Sequence, residues 1–142
     1  MATMSPEERQ DYLARPHVGV LGVDDPGRGP LTVPIWYAYE PGGTVTILTH
    51  PQSRKAKLIQ AAGRFSLCVQ RERLPYKYVM VEGPVVETIE CDIEEHARPM
   101  AHRYLGKELG DQYVEDGDDS TSIVIRMQPE RWYSTDYGKT AD

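Results

Sequence analysis

Three short strand-like runs, crowded together by two tight turns between His17 and Thr49, constrain the fold of this chain more than any other feature. HVGVLGV (17–23) alternates in the strand manner, DDPGRG (24–29) has the composition of a turn, and LTVPIWYAY (31–39) is a second run. Pro41-Gly42-Gly43 then turns the chain into TVTILT, where Val45, Ile47 and Thr49 share one face. Connections this short join antiparallel neighbours, because a parallel return needs a crossover of a dozen residues or more. Pro34 refines the picture: it has no N–H to give a ladder, so its strand belongs at an edge or at a bulge.

The rest of the chain repeats the theme. RFSLCVQR (64–71) places Phe65, Leu67 and Val69 on one face, and Leu74-Pro75 marks a turn. YKYVMVEGPVVETI (76–89) is a long strand interrupted by Gly83-Pro84, the signature of a bulge or a barrel corner. SIVIRM (122–127) is the last clear strand, and RWYS (131–134) extends it after Pro129. Helices punctuate these runs. Ser5-Pro6-Glu7-Glu8 is a capping box with proline in the first turn, predicting a helix to about Arg15 with Tyr12 and Leu13 turned inward. AKLIQAAG follows the third strand. Asp92 and Glu95 form a second capping box, opening a helix to about Leu105 that Pro99 should kink or shorten. Residues 107–119 are acidic and weakly patterned, and read as a surface loop with a helical turn. The expectation is a mainly β (α+β) domain spanning 1–142: a six-stranded antiparallel barrel with peripheral helices. Met100, Tyr104 and Leu105 on the late helix predict further apolar burial by two-fold pairing into a homodimer.

Chemistry concentrates between Thr44 and Lys57. There a strand runs through a loop into Ser53, Arg54, Lys55 and Lys57 at the head of a helix. Free first-turn amides, the helix dipole and long cations would converge on one point, which suits the phosphate of a nucleotide-like cofactor. The same residues also suit a solvated basic helix start. Elsewhere the basic residues are dispersed and the net charge is −6, which argues against duplex nucleic acid as a partner. No apolar run reaches membrane-spanning length and the polar, acidic N-terminus carries no signal-peptide pattern, so a cytoplasmic protein is expected. Cys68, within an apolar strand, is expected to be a buried, reduced thiol, and neither it nor Cys91 has metal-ligand spacing.

Other constellations are weaker. His50 lies beside the basic loop, where it could touch a ligand or simply be hydrated. His96 and His102 are six apart and share no helix face, so a metal pair is not expected. Asp116, Asp118 and Asp119 flank a glycine without the closing Glu of a calcium loop. GxSxG and GxGxxG elements are lacking, and no catalytic residue is assigned. That suits redox work in which a cofactor carries the hydride.

Taken together, VGVLGV with PIWYAY, ILTHPQSRKAKLI, RFSLCVQ with YKYVMVEGPVV, and SIVIRMQPERWY resemble, in order, the split β-barrel superfamily of pyridoxamine-phosphate-oxidase-like flavin and deazaflavin oxidoreductases. The resemblance implies an FMN-binding type of split barrel, a homodimer, and a cofactor groove at the subunit interface. FMN or the deazaflavin coenzyme F-420 would set its phosphate on Ser53, Arg54, Lys55 and Lys57. The ring would lie along Val33, Pro34, Ile35 and Trp36; Tyr78, with Tyr76 and Lys77, either lines the groove near that ring or is a structural strand tyrosine. Lys57, Arg64 and Arg28 are the cations available to the anionic tail of F-420. The chain departs from a true pyridoxamine-phosphate oxidase in lacking its long C-terminal extension and substrate-binding motif. The small actinobacterial-type members, often deazaflavin-dependent reductases, fit its length better. The implied activity is hydride transfer to a small quinone, enone or nitro acceptor; the alternative is a non-catalytic protein that sequesters a flavin, F-420 or haem.

Overall fold

The computed structural model describes residues 2–117 and 121–139. Helix α1 is Pro6–Ala14. Ser5 Oγ accepts from the Glu8 N–H at 3.2 Å and Glu8 Oε1 accepts from the Ser5 N–H at 2.9 Å, completing the expected capping box. Tyr12 and Leu13 are its buried residues.

The strands are β1 (Gly19–Val23), β2 (Leu31–Ile35), β3 (Val45–Thr49), β4 (Arg64–Arg71), β5 (Lys77–Glu90), β6 (Ile123–Met127) and β7 (Arg131–Asp136). All described pairings are antiparallel, in the order β2-β1-β4-β5-β6-β3. Six antiparallel strands in one path match the expected strand number. The RWYS segment becomes a seventh strand, β7, which pairs with β5 off the main path. β5 can serve three partners because it is 14 residues long. Its first half lies between β4 and β7, and its second half pairs with β6 after a bulge between Val85 and Glu87. Gly83 sits where the β6–β7 connection crosses this strand. A Cβ there would stand 1.8 Å from the Gln128 carbonyl oxygen, so only glycine lets the two backbones approach.

β2 is an edge strand, hydrogen-bonded to β1 alone, so Pro34 costs the sheet no ladder bond. The barrel closes just beyond it, where the Ala38 and Thr46 N–H groups each donate to the other's carbonyl at 2.9 Å. β2 and β3 themselves do not pair, and this opening is the split. Inside, Leu21, Tyr37, Val45, Ile47, Leu67, Val69, Val79, Val81 and Met127 are fully buried. Each such large side chain contributes roughly 1.5–3 kcal/mol by leaving water. The opposite face of the sheet is less polar than a solvated face should be. One cross-strand row runs Pro34–Val20–Cys68–Met80–Tyr133 over five strands, with Val20 42% and Tyr133 65% exposed.

Helix α2 is Arg54–Ala62, ended by Gly63 in the left-handed conformation. Asp92 caps the third helical region as expected, its carboxylate accepting from the Glu95 N–H at 2.8 Å; His96 Nδ1, however, accepts from the Asp92 N–H in place of a reciprocal Glu95 contact. A π-helical turn, Ile93–Ala97, leads into α3 (Arg98–Asp116), where Pro99 occupies the first turn and breaks nothing. The expected loop after Leu105 is instead helical. Gly106, at φ 81°, reverses the chain, and a second helical arm runs back to Asp116. Asp111 on that arm accepts from His102 Nε2 at 2.6 Å and from Arg98 Nη1 at 2.8 Å, clamping the hairpin shut. Those donors hold the Asp111 carboxyl far below the ordinary carboxylate range. Asp118 and Asp119 lie outside the described residues. No helix of the described residues is long and apolar enough to cross a membrane.

Candidate functional site

β3 ends at Thr49, and a tight loop carries the chain into α2. The His50 carbonyl accepts from the Ser53 N–H at 3.0 Å, and its exposed ring accepts from the Gln52 N–H at 3.1 Å through Nδ1. His50 therefore builds the loop rather than reaching into a cavity. Ser53 is the N-cap of α2: its Oγ accepts from the Ala56 N–H at 3.2 Å and lies 3.0 Å from Thr49 Oγ1. One hydroxyl pair thus ties the strand end to the helix start. The first-turn amides of Arg54 and Lys55 have no helical carbonyl to meet, and the dipole adds positive potential there.

The four basic-loop residues do not act alike. Arg54 is drawn aside, Nη2 donating at 2.5 Å to Asp25 in the β1–β2 turn, whose side chain is only 10% exposed. Lys55 is half-buried, Lys57 is exposed, and neither enters an ion pair among the described residues. An anion at this helix start would meet Ser53, two free amides, Lys55 and Lys57, with Arg54 engaged in holding the β1–β2 turn.

Pro34, Ile35 and Trp36 line a cavity of about 250 Å³ together with Leu48, Met100 and Tyr113. The Trp36 indole stacks on Tyr104 (centroids 4.8 Å apart, 6° between planes), with Tyr113 tilted against it at 5.4 Å. Tyr104 locks the segment after β2: its hydroxyl accepts from the Tyr37 N–H at 3.0 Å and donates to the His17 carbonyl at 2.6 Å. Burial pushes the Tyr104 and Tyr37 phenols above their ordinary range, so both remain hydroxyl donors. The late helix therefore uses Tyr104 and Met100 to wall the groove within the protomer. Leu48 lines the cavity and the next residue, Thr49, bonds Ser53, so consecutive residues of β3, on opposite faces of the strand, link the groove wall to the helix start. That arrangement suits one elongated ligand with a flat end and an anionic end.

Not every expected residue arrives there. Val33 is half-buried and packs against the core. Tyr78 lies on β5, and β1 and β4 separate it from β2, so it does not line the groove of its own protomer. The other tryptophan, Trp132, packs edge-on to Tyr39 at 6.1 Å and under the Arg9 guanidinium. A second hollow of about 320 Å³ runs along α2, lined by Pro51, Ala56, Ile59 and Gln60. Of the contributors not expected from sequence, Asp25 gave no signal, since a DDPG turn reads as solvated. Thr49 did: a polar residue on the inward face at a strand end needs a partner. The Cys68 thiol is half-buried and unpaired in any disulfide, and burial raises it above its ordinary value, so it is not a reactive thiolate.

The family model described as pyridoxamine 5'-phosphate oxidase matches residues 5–136. No curated protein matches the chain. Among solved structures, a conserved hypothetical protein from Mycobacterium tuberculosis superposes with a TM-score of 0.75 at 23% identity, over 95% of this chain and 86% of that one. An F420 reductase gives 0.64 at 23% identity (87% and 94% covered). An FAD-binding protein from Mesorhizobium loti gives 0.68 at 24% identity (94% and 95% covered). At these identities the likeness is one of fold. The family match, which runs from the capping box of α1 to the last residue of β7, carries more: this chain belongs to the pyridoxamine 5'-phosphate oxidase family.

Proposed function

We propose that the chain is a single split-barrel domain, paired two-fold in the cytosol. In this reading it is an oxidoreductase that transfers hydride between a flavin-type cofactor, F-420 or FMN, and a small quinone, enone or nitro acceptor. One observation carries it: a helix start bearing Ser53, Lys55 and Lys57 is tied to the end of β3 at Thr49, whose neighbour Leu48 lines an apolar groove with Pro34 and Trp36. The donor set fits a cofactor with a terminal phosphate and a planar ring. Such a cofactor supplies the hydride chemistry itself. The chain's share is to hold the phosphate at the α2 amides and lysines, keep the ring site dry with Trp36, Leu48 and Met100, and fix the site wall through Tyr104. Arg64, an expected contributor to the F-420 tail, pairs with Glu130 at 3.2 Å, which leaves Lys57 and Arg28 for that task. The solved neighbours named F420 reductase and FAD-binding protein support a flavin-type cofactor without choosing between the two.

The apolar row from Pro34 to Tyr133 supports pairing, because a second copy would cover it and could bring its Tyr78 toward the groove. Light scattering near twice the 16.1 kDa chain mass is the expected result. Titrating F-420 and FMN separately into the purified protein should quench Trp36 fluorescence with one of them. Failure of both to quench or to bind by calorimetry would end this reading. Binding without turnover of any quinone, enone or nitro acceptor would leave a sequestering protein instead.

A further inference from the structure

Between the end of α1 and the β4–β5 turn lies a hollow of about 530 Å³ whose lining is strongly basic for a chain of net charge −6. Arg15, Arg71, Arg73, Lys77 and His17 line it, against one carboxylate, Glu72. Two buried polar atoms here have no hydrogen-bond partner: Tyr12 Oη, on a residue only 7% exposed, and Arg71 Nε. Arg71 is otherwise fixed, its Nη2 donating to the Leu74 carbonyl at 2.9 Å. Lys77 shares its charge with Asp136 at 3.6 Å, and Asp11 and Glu8 line an adjoining smaller hollow with Tyr12, Arg15 and Lys77. The uncompensated charge therefore falls on the Arg71 and Arg73 side. Arg73 and Arg15 enter no ion pair among the described residues.

The chemistry of what is missing follows from the unmet groups. Guanidinium N–H, ammonium and phenol O–H are all donors, and a buried donor left unmet carries its full desolvation cost. Burial holds the Tyr12 phenol above its ordinary range, so it stays a donor at physiological pH. His17 stacks on the Tyr12 ring at 4.5 Å and gives the hollow one flat wall.

We propose that this hollow is a second anion site, separate from the α2 helix start. Its ligand is a small organic molecule bearing a multiply charged oxyanion, a phosphate ester or a polycarboxylate, held by Tyr12, Arg71 and Arg73. The volume leaves room for an organic body beyond the anionic group. The site stands independently of the cofactor reading.

Calorimetry on the full chain, with pyrophosphate and citrate titrated separately at fixed ionic strength, tests it. At least one should bind, and which one binds tells phosphate from carboxylate recognition. Arg73→Gln, on an exposed side chain, and Tyr12→Phe, which keeps the ring, should each weaken that affinity by about tenfold, the scale of one charge-assisted or buried hydrogen bond. Arg71→Gln should weaken it further, with thermal unfolding checking that the Leu74 turn survives. Lys55→Ala should leave it unchanged. Absence of binding by both anions, undiminished affinity in Arg73→Gln, or loss of affinity in Lys55→Ala would each overturn the proposal.

Discussion

Replacing Tyr104 by Phe removes one oxygen from the contact that holds the groove wall. In the native protein that oxygen accepts from the Tyr37 N–H at 3.0 Å and donates to the His17 carbonyl at 2.6 Å, with the Tyr37 carbonyl also 3.0 Å away. The substitution preserves the ring that stacks on Trp36. Two net hydrogen bonds are lost, at about 1 kcal/mol each, and the amide of a fully buried residue is left without its acceptor. Tyr104 is itself only half-buried, so water can repair part of the damage. The expected loss is about 1.5–3 kcal/mol, or a fall in Tm of roughly 5–9 °C for a domain of this length. Urea denaturation gives the energy and a thermal scan the shift. Trp36 emission should barely move, because the stack survives, while Tyr104→Ala should shift it as well. A loss below about 0.5 kcal/mol in the Phe variant would refute the claim that this hydroxyl fastens α3 to the β2 segment, since that is the size of an ordinary surface change.

Gly83→Ala should be among the most damaging single-methyl additions, costing about 3 kcal/mol or more, because the obstructing Gln128 atom is backbone; near-native urea stability would contradict the crossing geometry. Arg54→Ala and Lys55→Ala should separate cleanly. The first strands the nearly buried Asp25 carboxylate and should cost about 1 kcal/mol of stability, while the second should spare stability and weaken cofactor binding by about 1.5–3 kcal/mol. Equal effects of the two on binding would return Arg54 to the phosphate. Hydrogen bonds from Lys139 and from the Ser5 N–H lower the Glu8 carboxyl from 4.5 to about 2. A depressed carboxylate contributes stability that is present above its unfolded value and lost as pH falls toward the folded one. The stability gap between native protein and Glu8→Gln should therefore close between about pH 4.5 and pH 2, and a gap constant over that range would rule the linkage out.

Strand positions were legible because burial follows alternation. Phe65, Leu67 and Val69 are buried on β4 as their period of two requires, and Val45, Ile47 and Thr49 likewise on β3. Pro34 marked the edge strand for the chemical reason given by its missing N–H. The arm after Gly106 was not legible. Its helix carries little apolar periodicity, and it is held by Asp111 reaching across the hairpin to Arg98 and His102, contacts that no local pattern encodes. The bulge fell at Val85–Glu87, just past the Gly83-Pro84 pair, because those two residues still pair with β4 while the glycine admits the crossing chain.

The candidate site divides along the same line. The start of α2, with Ser53 as its N-cap and Lys55 and Lys57 in its first turns, was readable because a helix start states its own chemistry within one turn of sequence. The Arg54–Asp25 pair was not readable, because the two residues are 29 positions apart and a turn aspartate shows its partner only in three dimensions. Tyr78 exposes the deeper limit. Its sequence context fits a groove residue and a structural strand tyrosine equally, and two strands stand between β5 and β2 within one protomer. The groove wall formed by Pro34 and the surface carrying Tyr78 belong to one outer sheet face, the face whose apolar row remains uncovered in a single chain. Under the proposed pairing, covering that row and completing the groove are one event. Cofactor affinity should then fall with dilution as the dimer dissociates, which an intact one-chain site could not do.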